Sequence, residues 1–328
     1  MGTMQHKNNG GLVKQSISRF ARRQRKELQG TVRPSRGFGE TDNNGMVSGI
    51  TLTTDFGLDD EYVGLVKGTI LSLAPDARIV DLSHGVPPGN LLAAAHLLAA
   101  CWRHFPQGTV HLAVVDPGVG TKRRLLTLRL EGHFFVGPDN GLFTALLTGT
   151  AGPNGPATTK TDISRPDPLQ VFEITNQELF APFVSPTFHG RDIMAPVAAR
   201  LALGLDPGKV GPRVAAASVV CLEDAVAEAE DGGISGRIVW IDRFGNLVSN
   251  IPLSLIDRVF PGKRLDRCVL LAGGHEVRHR AATYAHAPDT APFFLAGSRA
   301  TLEIAVKNGN AAHATGLSWG ARCRLVER

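Results

Sequence analysis

From residue 50 onward the apolar positions fall into short runs that switch between two periods, and this switching is the strongest signal in the chain. Residues 50–54 (Ile-Thr-Leu-Thr-Thr) read as a strand, residues 61–73 carry apolar side chains at helical spacing up to Pro75, and residues 78–82 return to a strand pattern. Helical character returns over 91–104, followed by a β-rich run at 109–115. Strand, helix, strand, helix, strand predicts an α/β fold: a largely parallel, Rossmann-like sheet flanked by helices and joined by right-handed crossovers. A further helix is expected over 193–203, with Gly204 placed to end it.

The texture changes beyond about Pro212. Short β-rich pieces at 236–241, 247–251, 268–271 and 301–306 are separated by Gly, Asn and Pro, which predicts a smaller antiparallel, β-barrel-like domain. The stretch 223–233, acidic and then glycine-rich, is expected to be an exposed loop. The chain therefore divides into a basic extension over 1–47, an α/β domain over 48–212 and a β domain over 213–328. At 328 residues it is long enough for two domains with separate cores.

Charge changes the picture only at the start. The formal excess of +5 is concentrated before Met46, where nine basic residues (Lys7, Lys14, Arg19, Arg22, Arg23, Arg25, Lys26, Arg33 and Arg36) face only Glu27, Glu40 and Asp42. The remainder is near neutral and carries no global footprint for nucleic acid. Val13, Ile17, Phe20 and Ala21 sit at helical spacing among these basic residues, as in a targeting or surface-binding helix, but the Asn/Gly-rich flanks favour a disordered extension. The most apolar helical stretch, 91–102, is too short to cross a bilayer. Four scattered cysteines (Cys101, Cys221, Cys268, Cys323) form no CxxC pair, which suits a reducing cytoplasm.

Three aspartates fall at strand ends, where open α/β sheets collect ligands: Asp55, Asp81 and Asp116. Any one alone could merely cap the next turn. Asp116 differs because Pro117-Gly118-Val119-Gly120-Thr121-Lys122-Arg123 follows, a turn tight enough to bring the Arg123 guanidinium back to the carboxylate. That turn lacks Walker spacing and the full GxGxxG fingerprint, so it is a weak phosphate signal. His189 leads into a helix and is either a base or water-orienting group, or a surface histidine. The eleven histidines show no HExxH spacing, and no metal is expected. In the second domain, Asp242-Arg243-Phe244-Gly245-Asn246 offers a carboxylate, an aromatic face and an amide suited to a nucleoside, or a plain β-turn. Gly297-Ser298-Arg299 offers donors for a carboxylate, although such a pair is usually solvated surface.

Taken in order, Thr53-Thr54-Asp55-Phe56-Gly57, Asp81-Leu82-Ser83-His84, Asp116-Pro117-Gly118-Val119-Gly120-Thr121, Pro138-Asp139-Asn140-Gly141, Phe188-His189-Gly190-Arg191-Asp192, Phe244-Gly245-Asn246 and Gly297-Ser298 resemble the SAM hydroxide adenosyltransferases, relatives of the fluorinating and chlorinating adenosyl enzymes. The resemblance covers nearly everything after Met46. It implies hydrolysis of S-adenosylmethionine to adenosine and methionine, with S-adenosylmethionine as substrate and no further cofactor. It also implies a homotrimer whose active sites lie between the α/β domain of one subunit and the β domain of the next.

By that resemblance Asp116, Arg123 and His189 are the catalytic set and Asp55 holds the ribose hydroxyls. Asp242 takes the methionine amino group, Ser298 with Arg299 its carboxylate, and Phe244 with Asn246 the adenine, Phe188 and Val306 completing the binding residues. Halogenating relatives carry an aromatic at the position of Asp116 and a non-histidine at that of His189, and the fluorinating ones a small hydroxyl residue at that of Gly190. They also carry an insertion after the position of Arg124, where this chain runs through 125–136 straight into Pro138. These features favour water over halide. Pro88-Gly89-Asn90 departs from the family's bulkier aromatic-Asp pair near the ribose. The rival readings are a chlorinase-like halide adenosyltransferase and a non-catalytic nucleoside- or nucleic-acid-binding protein.

Overall fold

A computed structural model describes residues 49–149, 169–261 and 265–328; the basic extension lies outside the described residues. The first sheet comprises β1 (Ile50–Thr54), β2 (Ile79–Ser83), β3 (Val110–Val114), β4 (Leu125–Leu130), β5 (His133–Pro138), β6 (Gln170–Glu173) and β7 (Arg213–Val214), in the order β2-β1-β3-β5-β4-β6-β7. The strands β2, β1, β3 and β5 run parallel. The last three, β4, β6 and β7, extend the sheet antiparallel. All five positions of β1 and of β3 are buried, which only a strand covered on both faces requires.

Helices supply that cover. On one face, α1 (Tyr62–Leu73) turns Val63, Val66 and Ile70 inward and packs with α3 (Ala195–Ala202) over Ile50, Leu52 and Leu112. On the other, α2 (Leu91–Cys101) lays Ala94, Leu98 and the following Trp102 on Leu126, Leu128 and Phe135. The Asn90 side chain accepts from the Ala93 amide and starts α2, and the helix expected to reach residue 104 instead tightens into a single 3₁₀ turn after Cys101. The helix expected from 193 begins earlier, as a π-helical turn over Gly190–Met194 that runs into α3.

The second sheet has nine strands: β8 (Glu228–Glu230), β9 (Gly233–Ile241), β10 (Leu247–Pro252), β11 (Cys268–Ala272), β12 (His275–Val277), β13 (His279–Arg280), β14 (Phe293–Ala296), β15 (Thr301–Ala305) and β16 (Arg322–Glu327). Its path is β12-β11-β16-β9-β10-β15-β14-β13, with β8 also on β9. The nine-residue β9 pairs with β16 through its first half and with β10 through its second, so the sheet curls into a nearly closed, barrel-like wall around Ile234, Ile238, Leu247, Phe294 and Leu325. Every pair is antiparallel except β13 with β14. The segment expected as an exposed loop over 223–233 is partly ordered into β8, because its backbone completes the edge of β9 while all three of its side chains face solvent.

Contacts tie the second sheet and the connecting segment to the first. Trp240 of β9 packs into the core under α2. Asp139, just past β5, accepts both from Arg124 (2.6 and 2.8 Å) and from the Val220 amide (2.8 Å), pinning the connecting segment to the first sheet. Among the described residues no helix is long and apolar enough to cross a membrane.

Candidate active site

The parallel strands β1 and β3 end on the same edge, and their trailing residues Asp55 and Asp116 both line a cavity of about 690 Å³. The turn after β3 curls back on itself. Gly118 leaves room for the Arg123 side chain, whose Cδ would stand 3.2 Å from an added Cβ. Arg123 therefore reaches Asp116 with both arms: Nε donates to Oδ1 at 2.6 Å and Nη2 to Oδ2. Both side chains are almost wholly buried, and a bidentate guanidinium–carboxylate pair fixes direction as well as charge.

His189 arrives from a distant segment. At Gly120 the backbone is left-handed (φ 81°) and an added Cβ would lie 2.7 Å from the Pro186 carbonyl oxygen, so glycine is what lets the turn press against residues 185–188. That segment is closed from behind by Asp192, which accepts from the Ser185 amide at 2.9 Å and is gripped by Arg191. His189 is thereby held with Nδ1 at 3.3 and 3.2 Å from Arg123 Nη1 and Nη2. A guanidinium only donates, so Nδ1 accepts and the hydrogen of the neutral imidazole falls on Nε2. Burial, and then the Arg123 charge, push the His189 pKa below its usual value, with Asp116 and Asp192 pulling the other way. The imidazole is neutral at neutral pH.

Asp116 and His189 line the cavity, whereas Arg123 stands behind them as the bridge. The other walls are Asp55, the Pro88-Gly89 turn and an aromatic cluster. Phe56, Tyr62 and Phe188 pack with centroids 5.4 to 5.9 Å apart, and the Arg191 guanidinium lies 4.9 Å over the Phe188 ring. The Pro88-Gly89-Asn90 segment supplies the Gly89 amide to Asp55 Oδ2 at 2.8 Å.

A second cavity, of about 830 Å³, opens on the β sheet and gathers Asp242, Phe244, Asn246 and Val306. Asp242 Oδ1 accepts from the Phe244 and Asn246 amides and Oδ2 from Asn246 Nδ2, so the turn holds its own carboxylate. Phe244 projects into solvent, 76% exposed. Ser298 and Arg299 are not among the walls of this cavity. Ser298 is exposed on the β14–β15 turn, and Arg299 turns inward to stand 5.5 Å over the Trp240 ring, its Nη1 buried without a hydrogen-bond partner among the described residues.

Sequence reasoning missed Tyr284, Lys307 and Asn308, which line the second cavity, and Asp192, which carries no ligand-facing role but holds the His189 segment. Asp192 sits inside a quoted motif, whereas Tyr284 is 38 residues from Asn246 and carries no local signal. Among the described residues no group of three or more His, Cys, Asp or Glu side chains could hold a metal ion.

Comparison with known proteins converges on one family. The model of the SAM hydroxide adenosyltransferase N-terminal domain matches residues 50–211, and that of the C-terminal domain residues 236–324. The (R)-S-adenosyl-L-methionine hydrolase of Thermus thermophilus is 38% identical over 83% of this chain and 97% of its own length. That of Salinispora arenicola is 34% identical over 84% and 97%. A fluorinase of Nocardia brasiliensis is 31% identical over 68% and 77%. The crystal structure of an uncharacterized conserved protein from Thermotoga maritima superposes with a TM-score of 0.72 at 32% identity, covering 85% of this chain and all of that one.

Proposed function

The chain belongs to the SAM hydroxide adenosyltransferase family, and from that premise we propose that it hydrolyses S-adenosylmethionine to adenosine and methionine by in-line attack of water on the ribose C5′. The observation that carries this reading is the convergence of Asp116, Arg123 and His189 at one cavity wall. As the water oxygen bonds to C5′, the C5′–S bond breaks and its electron pair neutralises the sulfonium. The leaving group is a neutral thioether, so the reaction needs neither an acid nor a further cofactor, only an oriented nucleophile.

The roles follow from the hydrogen-bond inventory. Neutral His189 offers Nε2–H to the water oxygen, and Asp116 keeps lone pairs beyond the two that Arg123 occupies, so it accepts the water proton. Arg123 acts through both partners, and its charge favours the hydroxide character that develops on the attacking oxygen. Asp55 takes the ribose hydroxyls, and Phe188 forms part of the wall beside them. On the β domain, Asp242 takes the methionine amino group and Phe244, Asn246 and Val306 the adenine, while Ser298, exposed on the neighbouring β14–β15 turn, takes the carboxylate and Arg299, turned toward Trp240, supports that turn from behind.

Most of these groups lie on two cavities, and Phe244, which lines the second, is 76% exposed, with Leu58 (73%) and Phe183 (74%) similarly exposed elsewhere on the α/β domain. Large apolar side chains beside a polar pocket suit a covered surface. What the family resemblance implies fits such a surface: a homotrimer in which a neighbour's β domain closes each α/β cavity. Its four scattered cysteines, with no CxxC pair, suit the cytoplasm. Incubation with S-adenosylmethionine in ¹⁸O-labelled water tests the reaction: label is expected in the 5′ hydroxyl of adenosine. Unlabelled adenosine, or a halogenated nucleoside formed in chloride, would overturn the reading.

A further inference from the structure

Beneath the second cavity lies an acid that the hydrolysis does not use. Glu303, in the middle of β15, is 6% exposed. Its Oε2 accepts from the Tyr284 hydroxyl at 3.0 Å, and Tyr284, which lines the cavity, in turn accepts from Asn246 Nδ2 at 3.5 Å. Asn246 Nδ2 also donates to Asp242. A chain of polar contacts therefore runs from the cavity floor into the sheet.

The other side of Glu303 meets the β14–β15 turn. Strand pairing sets it opposite Leu295, and a Cβ added at Gly297 would fall 2.0 Å from Glu303 Oε1. A side chain at 297 would have to push the Glu303 carboxylate aside, so as the turn stands the Gly297 backbone is laid directly on it. One buried group thus touches two separate segments: the Tyr284 wall and the turn bearing Ser298 and Arg299.

We propose that Glu303 is a positioning residue for substrate binding, its buried carboxylate locking the Tyr284 wall and the Gly297-Ser298-Arg299 turn into a single rigid unit that receives the amino-acid and adenine ends of the substrate. The inference rests on the reading of this cavity as the S-adenosylmethionine site. Glu303 touches no reacting atom, so its effect falls on binding and leaves the chemical step alone. The titratable and charged groups facing it are Tyr284, Asp242 from the β9–β10 turn and Arg299 from the β14–β15 turn. Burial raises the Glu303 pKa and the Asp242 charge adds to that, while the Tyr284 hydrogen bond and Arg299 oppose it. Burial and the same carboxylate push Tyr284 up to about 12, so the phenol remains a donor. As pH falls through the raised Glu303 value the carboxylate gains a proton, the charge-assisted bond is lost and the unit loosens.

The test compares Glu303→Gln, Tyr284→Phe and the double variant with the wild type, reading KM and kcat for S-adenosylmethionine across pH. Each single variant is expected to raise KM about five- to tenfold with kcat within about twofold, and the double variant to be little worse than either. The acid-side rise of KM that Glu303 causes in the wild type should vanish in Glu303→Gln. Tyr284→Phe removes the same contact, with the longer one to Asn246, and leaves the buried acid in place, so loss of the acid-side KM profile in it decides the matter if Glu303→Gln folds poorly. Wild-type KM and an unchanged KM profile in either variant overturn the positioning role. Wild-type affinity in Asp242→Ala overturns instead the assignment of the cavity on which that role depends.

Discussion

In the corner behind β3 the charges are matched: Arg123 holds both oxygens of Asp116, and its remaining donors meet a neutral His189. Below the β-domain cavity they are not. Among the described residues Glu303 has one tyrosine for a hydrogen-bond partner, Arg299 leaves Nη1 unpaired, and the two feel one another only at a distance. A satisfied network is rigid before anything binds, which is what a site must be if it is to aim a water molecule without reorganising. Glu303 and Arg299 stand behind the cavity walls, so they act on a ligand only through Tyr284 and the turn they support. On the proposed function the α/β corner serves the transition state and the β cavity the ground state.

The sharpest way to break this division is to remove one carboxylate from each region. Asp116→Ala is expected to lower kcat by about 10²–10⁴ with little change in KM, since its contact with water matters as the proton moves. Asp242→Ala should raise KM by about tenfold to a hundredfold at nearly constant kcat, the effect of one hydrogen bond to a charged group. Mixing the two crippled proteins under conditions that allow subunit exchange should restore activity, because some sites then combine an intact corner with an intact cavity. If the mixture stays inactive after exchange, the two regions do not meet between subunits.

His189 sharpens the corner's side of the comparison. Its pKa lies below 6.5, chiefly through burial and then through Arg123, so the imidazole is neutral above that depressed value and gains a proton only below it. Protonation would set a cation against Arg123 and drive the two apart. The acid limb of kcat should therefore fall below the ordinary histidine range. In His189→Ala, kcat should drop about a hundredfold and that limb should disappear. A limb centred above 6.5 would contradict the geometry.

How much of this was visible beforehand depends on distance along the chain. Residues 50–54 were read to the exact ends of β1 because every position is buried and β-branched residues dominate. The return of Arg123 to Asp116 was legible for the same local reason: a seven-residue reach with glycines at 118 and 120 has few other ways to fold. The β4–β5 hairpin was not separated within 125–136, since its two-residue turn places Glu131 at φ 49° before Gly132, and glutamate is no usual signal for that conformation. The strand β8 was hidden because all three of its side chains are exposed and acidic or small, leaving no alternation to read. Tyr284 and Glu303 meet across 19 residues, and Arg299 turns toward Trp240 and away from the cavity, a choice made by packing between the domains. Pairings of that kind leave no mark in a single sequence.

The subtlest prediction concerns how the corner is assembled. Gly120 contributes no functional group, yet its left-handed backbone and its 2.7 Å approach to the Pro186 oxygen join the Asp116 turn to the His189 segment. In Gly120→Ala the new methyl meets a backbone carbonyl that cannot swing aside, and the alanine resists φ 81° at a cost of about 1–2 kcal/mol. The two segments should part by a few tenths of an ångström. Nδ1 of His189 already stands 3.2 Å from Arg123, so this displacement stretches the weakest link of the corner while the Asp116–Arg123 pair, seven residues apart on one turn, stays closed. The expected result is a several-fold fall in kcat, a lowered melting temperature and an unchanged KM, because the β cavity is untouched. A rise in KM instead would mean that the Asp116 turn helps to bind the substrate, and the separation of roles between the two regions would be lost.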